Sequence, residues 1–210
     1  MNIIWKGSPN QDSNRKPIDR IVCHWFGIGT LESANSRFQN PTAQVSAHYG
    51  ISGETVYQWV KDDNVSYHAG NYSMNQRSIG IEHDATTEHK ASDMTYNTSA
   101  SLIANLCRKH NILPDRQHII KHSEVVATQC PGTLDMDRLV SWVQNLLESS
   151  YSPSISPSQS PSHSVSPSVS PSSSVSVSPS ASPSEEFIVV ENNWLLILLR
   201  FILGLFSRKR

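Results

Sequence analysis

The sequence predicts an α/β (α+β) fold in which a single mixed central β-sheet is flanked by helices. Two observations support this prediction. Short segments rich in β-forming residues intermix along the chain with segments of helical periodicity. Charged residues make up 17% of the 210 residues, and most of them lie before residue 150. We therefore expect one globular domain at residues 1–150.

The central strand is predicted at residues 18–26, "IDRIVCHWF", where β-forming residues alternate between two faces. That alternation places Cys23 and His24 on opposite faces, so the two side chains cannot readily ligate one ion together. Further strands are predicted for a hairpin around Gly53-Glu54, for residues 78–84 ("SIGIEHD") and for "HIIKH" at 118–122.

Three helices are predicted, at residues 31–39, 93–111 and 135–149. The first ends before Pro41, because the residue that precedes a proline disfavours helical geometry. The third carries a continuous apolar stripe, with Asp135 near its start, where a negative charge favours helix formation.

Two segments follow the predicted domain. Residues 151–186 have Ser at almost every second position, often beside Pro, and are predicted to form a disordered linker. Residues 187–210 are apolar and end in "SRKR". They are predicted to contact membrane lipid, either lying in the interface or spanning the bilayer if Arg200 reaches the headgroups. A further helix of the globular domain is the alternative interpretation.

The formal net charge of −1 argues against a general nucleic-acid binder, and we expect a monomer. The three cysteines are too few for a disulfide scaffold. A Cys23–Cys107 bridge and two buried thiols both remain open. The first residues lack the apolar run of a secretory signal, so we expect synthesis in a cytoplasm and, if the chain is exported, export by another route.

The chain has nine histidines. His122 and Cys130 are separated by seven residues and can reach one metal ion, and His24 is the best third ligand from a separate strand. A catalytic zinc site uses three such protein ligands and leaves a fourth position open. We interpret three of the remaining histidines as surface residues: His89, His110 and His163.

Glu82 is a lone carboxylate within the apolar strand "SIGIEH". A buried acid near a metal can act as a general base, which is the function we expect if Glu82 and His24 share a face. The alternative is a surface residue of an edge strand, or an ion-pair partner for Arg77 or Lys121.

Six motifs in order, "IVCHW", "VSAHYGIS", "VYQWV", "YHAGN", "SIGIEHD" and "HSEVVATQCPG", resemble those of the type 2 N-acetylmuramoyl-L-alanine amidases. That family includes phage endolysins, bacterial wall-recycling amidases and peptidoglycan-recognition proteins. The resemblance covers residues 17–148. It implies a mixed sheet with a zinc ion in a groove at one edge.

The resemblance also implies roles for individual residues. His24, His122 and Cys130 match the zinc ligands, and Glu82 matches the acid/base of the recycling branch. Thr128 occupies a position that is Lys in some members, and it can hydrogen-bond an oxyanion. A tyrosine used by some phage members is replaced by Ala47, so zinc and Glu82 carry more of the expected chemistry. The groove motifs contribute two expected substrate-side or supporting residues: His48 and His68.

The function implied by the resemblance is hydrolysis of the peptidoglycan amide between N-acetylmuramic acid and L-alanine, with Zn²⁺ as cofactor. The expected biological setting is a phage or prophage endolysin. The alternatives are a non-catalytic peptidoglycan-binding module and a tail-anchored wall-recycling or remodelling amidase. Because non-catalytic members typically lack the cysteine ligand, Cys130 favours an enzyme.

Overall fold

Six strands form one mixed sheet in the computed structural model, which describes residues 1–149. The sheet order is β1-β5-β4-β7-β3-β8, and β2 and β6 form a separate antiparallel pair. Within the large sheet only β4 and β5 pair antiparallel. The strands are β1 (Ile3–Trp5), β2 (Gln11–Asp12), β3 (Arg20–Trp25), β4 (Tyr49–Ser52), β5 (Thr55–Gln58), β6 (Val65–Ser66), β7 (Ser78–His83) and β8 (Ile119–Lys121).

Within residues 1–149, four α-helices accompany the sheet, and three of them begin at a residue whose side chain caps the helix. The side chains of Thr30, Asn71 and Ser92 each accept a backbone N–H in the first turn of a helix. Short 3₁₀ turns occupy Pro41–Ala43 and His122–Glu124. The helices are α1 (Leu31–Gln39), α2 (Tyr72–Arg77), α3 (Asp93–His110) and α4 (Met136–Ser149).

Each face of the sheet has its own hydrophobic core, which confirms the predicted fold class. Helices α3 and α4 pack over one face, where Ile21 and Cys23 of β3 are buried. Helix α1 covers the other face, where Leu31 and Phe38 pack near Trp59. Alternation along β3 therefore directs Ile21 and Cys23 into the larger core, and their neighbours Val22 and His24 toward the opposite face, as the sequence predicts.

Several sequence interpretations are settled by the packing. The three cysteines are buried free thiols, so no bridge joins Cys23 and Cys107. His110 is not a surface residue: it is half-buried, with Nε2 3.3 Å from Oδ2 of Asp62. No helix within residues 1–149 has the length and apolar character needed to cross a bilayer. The predicted linker (151–186) and tail (187–210) lie outside the described residues.

Candidate active site

Three adjacent parallel strands, β7, β3 and β8, end at the same edge of the sheet. His24 and Glu82 are the penultimate residues of β3 and β7, and His122 follows β8 directly. Crevices outside the carboxyl ends of such strands are common binding sites in α/β proteins. The topology thus brings together polar residues that are distant in sequence.

The structure brings His24, His122 and Cys130 into one cluster. One donor atom from each residue lies within 4.8 Å of the others. Nδ1 of His24 is 3.7 Å from Sγ of Cys130, and the imidazole centroids of His24 and His122 are 4.4 Å apart. Among the residues that the structure describes, Nε2 of His122 is buried without a hydrogen-bond partner. Two imidazoles and one sulfur form a donor set that suits zinc and leaves a fourth position open.

Burial sets the protonation states of these donors. Burial, followed by the His122 ring, holds the pKa of His24 well below its ordinary value. Burial also lowers the pKa of His122. Burial raises the pKa of the Cys130 thiol, and the Glu82 carboxylate raises it further. The imidazoles are therefore neutral donors, whereas Cys130 must lose its proton when it binds a metal ion.

The turn around Cys130 is fixed by backbone contacts. The amide of Ser123 donates to the carbonyl of Cys130 at 3.0 Å, which closes the loop after β8. Gly132 has a φ of 64°, and a Cβ there would overlap the Trp25 ring and lie 2.5 Å from the carbonyl oxygen of Thr86. A side chain is excluded at this position, so the glycine allows the turn to pack against β3.

Glu82 shares a sheet face with His24, because the two residues are register partners on neighbouring parallel strands. Its Oε2 is buried and has no hydrogen-bond partner within the described part of the chain. Arg77 pairs with Asp19 instead, so it is not the partner of Glu82. Burial raises the pKa of Glu82 to about 8, and the positive charge of Arg37 lowers it in part. An acid with this environment, beside a donor cluster, is suited to proton transfer.

A groove of about 410 Å³ adjoins the cluster and is open to solvent along α1. Its lining is largely apolar and aromatic, with Arg37 and Glu82 as the charged residues. Sequence analysis did not identify Arg37, because an exposed arginine in the last turn of a helix is ordinarily explained by the helix dipole. The aromatic lining residues are Trp25, Phe26, Phe38 and Tyr67.

His48 does not reach this groove. It is fully buried, and its Nε2 donates to the carbonyl of Asn64 at 3.1 Å. Its Nδ1 accepts the amide proton of Gly80 at 3.0 Å and lies 2.7 Å from the Ser66 hydroxyl. Of the two expected roles, substrate-side or supporting, this burial favours the supporting one, in which His48 ties the start of β4 to β7.

His68 lies at the border of the groove and is 9% exposed. Its Nδ1 is 2.9 Å from Nε2 of His24, and its Nε2 is 3.2 Å from the Ser78 hydroxyl. Sequence analysis did not predict this contact with His24. The available signal was the pair of motifs "IVCHW" and "YHAGN", which contain His24 and His68, but only the folded loop brings them together.

Thr128 lies on the exposed turn before Cys130, and its Oγ1 accepts the backbone amide proton of Cys130 at 3.2 Å. That bond orients the hydroxyl but does not use its proton. The hydroxyl therefore remains free to donate to another group.

Comparisons with known proteins agree with this architecture. N-acetylmuramoyl-L-alanine amidase A of Achromobacter lyticus is 34% identical over 115 residues, which cover 52% of this chain and 63% of that protein. The solved catalytic domain of XlyA has a TM-score of 0.56 and 25% identity, and covers 68% of this chain and 99% of its own. A mutant endolysin from Bacillus subtilis has a TM-score of 0.56 and 26% identity, with the same coverage of 68% and 99%.

The matches to the curated relatives span between 35% and 63% of their lengths. The match to the family model described as N-acetylmuramoyl-L-alanine amidase covers residues 14–133, which is more than half of the chain. That range contains β3, β7 and β8 together with His24, Glu82, His122 and Cys130. The chain therefore belongs to the N-acetylmuramoyl-L-alanine amidase family.

Proposed function

We propose that this chain is a zinc-dependent hydrolase that cleaves the peptidoglycan amide between the lactyl group of N-acetylmuramic acid and L-alanine. The single observation that carries the proposal is the cluster of His24, His122 and Cys130 beside the unpartnered carboxyl of Glu82. Family membership supports the substrate class.

The three clustered side chains would hold the metal ion. A zinc ion bound there supplies a Lewis acid that polarises a carbonyl group and lowers the pKa of water. Cys130 contributes a thiolate once its proton is lost, and His24 and His122 contribute neutral imidazoles. The fit of this donor set is supported by the buried Nε2 of His122, which has no hydrogen-bond partner.

Glu82 is proposed to move the proton in this reaction. It accepts a proton from the attacking water and transfers it to the nitrogen of L-alanine, while the carbon–oxygen bond forms and the carbon–nitrogen bond breaks. Thr128 is proposed to donate its hydroxyl proton to the carbonyl oxygen as negative charge develops there. The products are a free lactyl carboxylate and a stem peptide with an L-alanine amino terminus.

The apolar groove is proposed to hold the substrate. Its aromatic lining offers flat surfaces that suit the sugar ring and the methyl groups of the lactyl-alanine unit. His68, at the border of the groove, is the remaining residue for which substrate contact was expected, and this contact stays a prediction.

The test is digestion of purified peptidoglycan by the zinc-loaded full chain in ¹⁸O-labelled water, followed by mass spectrometry. The proposal expects stem peptides that begin with L-alanine, and one ¹⁸O atom in each lactyl carboxylate. Removal of zinc with dipicolinate should abolish release, and added zinc should restore it. Binding of peptidoglycan without release of peptides would contradict the proposal and favour the non-catalytic module.

We also propose that the enzyme acts at the bacterial wall as a phage or prophage endolysin, with residues 187–210 contacting membrane lipid. The apolar and basic composition of those residues supports this setting. The full chain should float with vesicles that contain anionic phospholipid, and Phe201→Asp should reduce flotation because it places a charge in the apolar run. Val175→Asp in the linker serves as the matched control. Equal flotation of all three proteins would contradict the membrane contact.

A further inference from the structure

A chain of buried hydrogen bonds leads away from the side of His24 opposite Cys130. Nε2 of His24 lies 2.9 Å from Nδ1 of His68, and Nε2 of His68 lies 3.2 Å from Oγ of Ser78. The Ser78 hydroxyl in turn donates to the carbonyl oxygen of Met74 at 2.6 Å. His24 is 2% exposed and Ser78 is fully buried, so bulk water does not compete for these bonds.

The direction of every bond in the chain follows from its last member. A carbonyl oxygen can only accept, so the single hydroxyl proton of Ser78 points to Met74. Ser78 must then accept from His68, which places the proton of that imidazole on Nε2. A neutral imidazole has one N–H, so Nδ1 of His68 is an acceptor and Nε2 of His24 carries the proton. The lone pair of His24 is thereby on Nδ1, the atom 3.7 Å from Sγ of Cys130.

The fold holds the His68 ring in a tailored position. A Cβ at Gly80 would lie 2.5 Å from Cγ and 2.7 Å from Nδ1 of His68, so any side chain there would displace the ring. Oδ1 of Asn75 accepts the backbone amide protons of His68 and Ala69, at 3.2 and 2.8 Å. These contacts fix both the loop and the imidazole of His68. A residue that only bordered the groove would not require such close positioning.

We propose that His68 is a positioning residue that, together with Ser78, holds His24 in the tautomer and orientation needed to bind zinc through Nδ1. The inference rests on the metal site of the proposed function but not on amidase activity. Hydrogen-bond partners behind a ligating histidine fix its tautomer and raise its basicity, and their removal typically costs about 10–100-fold in metal affinity. His68 therefore acts through His24 and need not touch the substrate.

The test measures the zinc affinity of the full chain by competition with a chromogenic chelator. His68→Leu removes the acceptor at similar size and should weaken zinc binding about 10–100-fold. His68→Asn offers Oδ1 near the place of Nδ1 and should keep the affinity within about threefold of the original, because the acceptor is retained. His89→Leu changes an exposed histidine and is the matched control, with no change expected.

Ser78→Ala supplies a second, independent comparison. It should weaken zinc binding in the original chain, because His68 can then carry its proton on Nδ1. In that tautomer His68 no longer accepts the hydrogen bond from Nε2 of His24. Ser78→Ala should have no further effect on zinc binding in a His68→Asn background, because the asparagine side chain is too short to hydrogen-bond Ser78. Equal losses of zinc affinity in both backgrounds would show that Ser78 acts only through general stability, and would overturn the proposed series of hydrogen bonds.

The tautomer itself is observable by ¹⁵N NMR of the zinc-free full chain. His24 should carry its proton on Nε2, and His68→Leu should populate both tautomers. A proton on Nδ1 of His24 in the original chain would overturn the inference, as would unchanged zinc affinity in His68→Leu. Failure of the original chain to bind zinc would instead overturn the proposed function, so the two failures are distinguishable.

Discussion

Glu82 and His24 lie side by side as register partners on the parallel strands β7 and β3, with their side chains on the same face of the sheet. In the proposed function His24 binds a metal ion and Glu82 moves a proton, yet no hydrogen bond within residues 1–149 occupies Oε2 of Glu82. A carboxyl left unpartnered at this position is costly to bury, because burial disfavours its charged form. The arrangement is consistent with retention of Glu82 for chemistry, and the two roles can be separated by experiment.

Glu82→Gln is expected to leave zinc affinity nearly unchanged and to lower kcat about 10²–10⁴-fold, the range typical of a lost general acid–base residue. Chelator competition measures the first quantity, and the rate of stem-peptide release measures the second. Glu54→Gln, in the exposed hairpin turn, is the matched control and should leave both quantities unchanged. A near-normal rate for Glu82→Gln would show that another group moves the proton.

Cys130→Ser is expected to lose zinc affinity and activity together, because a neutral hydroxyl is a poor ligand in place of a thiolate. Cys23→Ala is the control, since Cys23 lies on the opposite face of β3 within the larger core. It should lower the free energy of unfolding by about 1 kcal/mol through lost packing while zinc binding persists. If Cys130→Ser bound zinc as tightly as the original chain, the assigned donor set would be wrong.

The strands and helices that the sequence predicts well are those with a strong local pattern. Residues 31–39 form α1 as predicted, and the predicted 135–149 and 93–111 helices differ from α4 and α3 by one residue. Strands β1, β2 and β6 and the six-residue helix α2 were not predicted. They are short, and β1, β2 and β6 form only because a distant strand pairs with them, so local periodicity carries little information about them.

In the candidate site, too, features with a local sequence pattern were predictable and features that depend on packing were not. The spacing of His122 and Cys130 and the alternation along β3 are local properties. They are enough to predict that His24, His122 and Cys130 bind one metal ion. His48 is buried by its contacts with Asn64, Ser66 and Gly80, and the contact between His68 and His24 depends on where the loop after β6 lies. Neither motif specifies that packing, so the resemblance left a substrate-side and a supporting role open for both histidines.

Thr128→Val is expected to lower kcat by about 10²-fold without changing zinc affinity, because it removes one donor to the developing oxyanion at similar side-chain volume. Thr128→Ser keeps the hydroxyl and should retain most of the rate. The comparison also controls for the bond from the amide of Cys130 to Oγ1, which serine can still accept. If valine and serine gave equal rates, the proposed role of Thr128 in oxyanion stabilisation would be rejected.

Asp62, which is distant in sequence from the metal ligands, makes the stability of the fold depend on pH. It is 5% exposed and accepts hydrogen bonds from Tyr49 at 2.6 Å and Lys109 at 2.7 Å. Burial alone would raise the pKa of Asp62, but the bonds from Lys109 and Tyr49 outweigh it and hold the pKa below its ordinary value of 3.8. A depressed carboxylate pKa stabilises the folded state above the unfolded pKa, and the contribution is lost as the pH falls through the folded pKa.

Asp62→Asn is therefore expected to lower the free energy of unfolding by about 1.5–3 kcal/mol near neutral pH, the range for hydrogen bonds to a charged group. The difference between the two proteins should shrink as the pH falls below about 4, because the original chain then loses its charged acceptor. Urea unfolding of the metal-free full chain across this pH range measures the difference. The adjacent Asp63→Asn, at an exposed position, should show no comparable gap. A gap between Asp62→Asn and the original chain that persisted unchanged into strong acid would mean that packing, rather than charge, is the basis of the stabilisation.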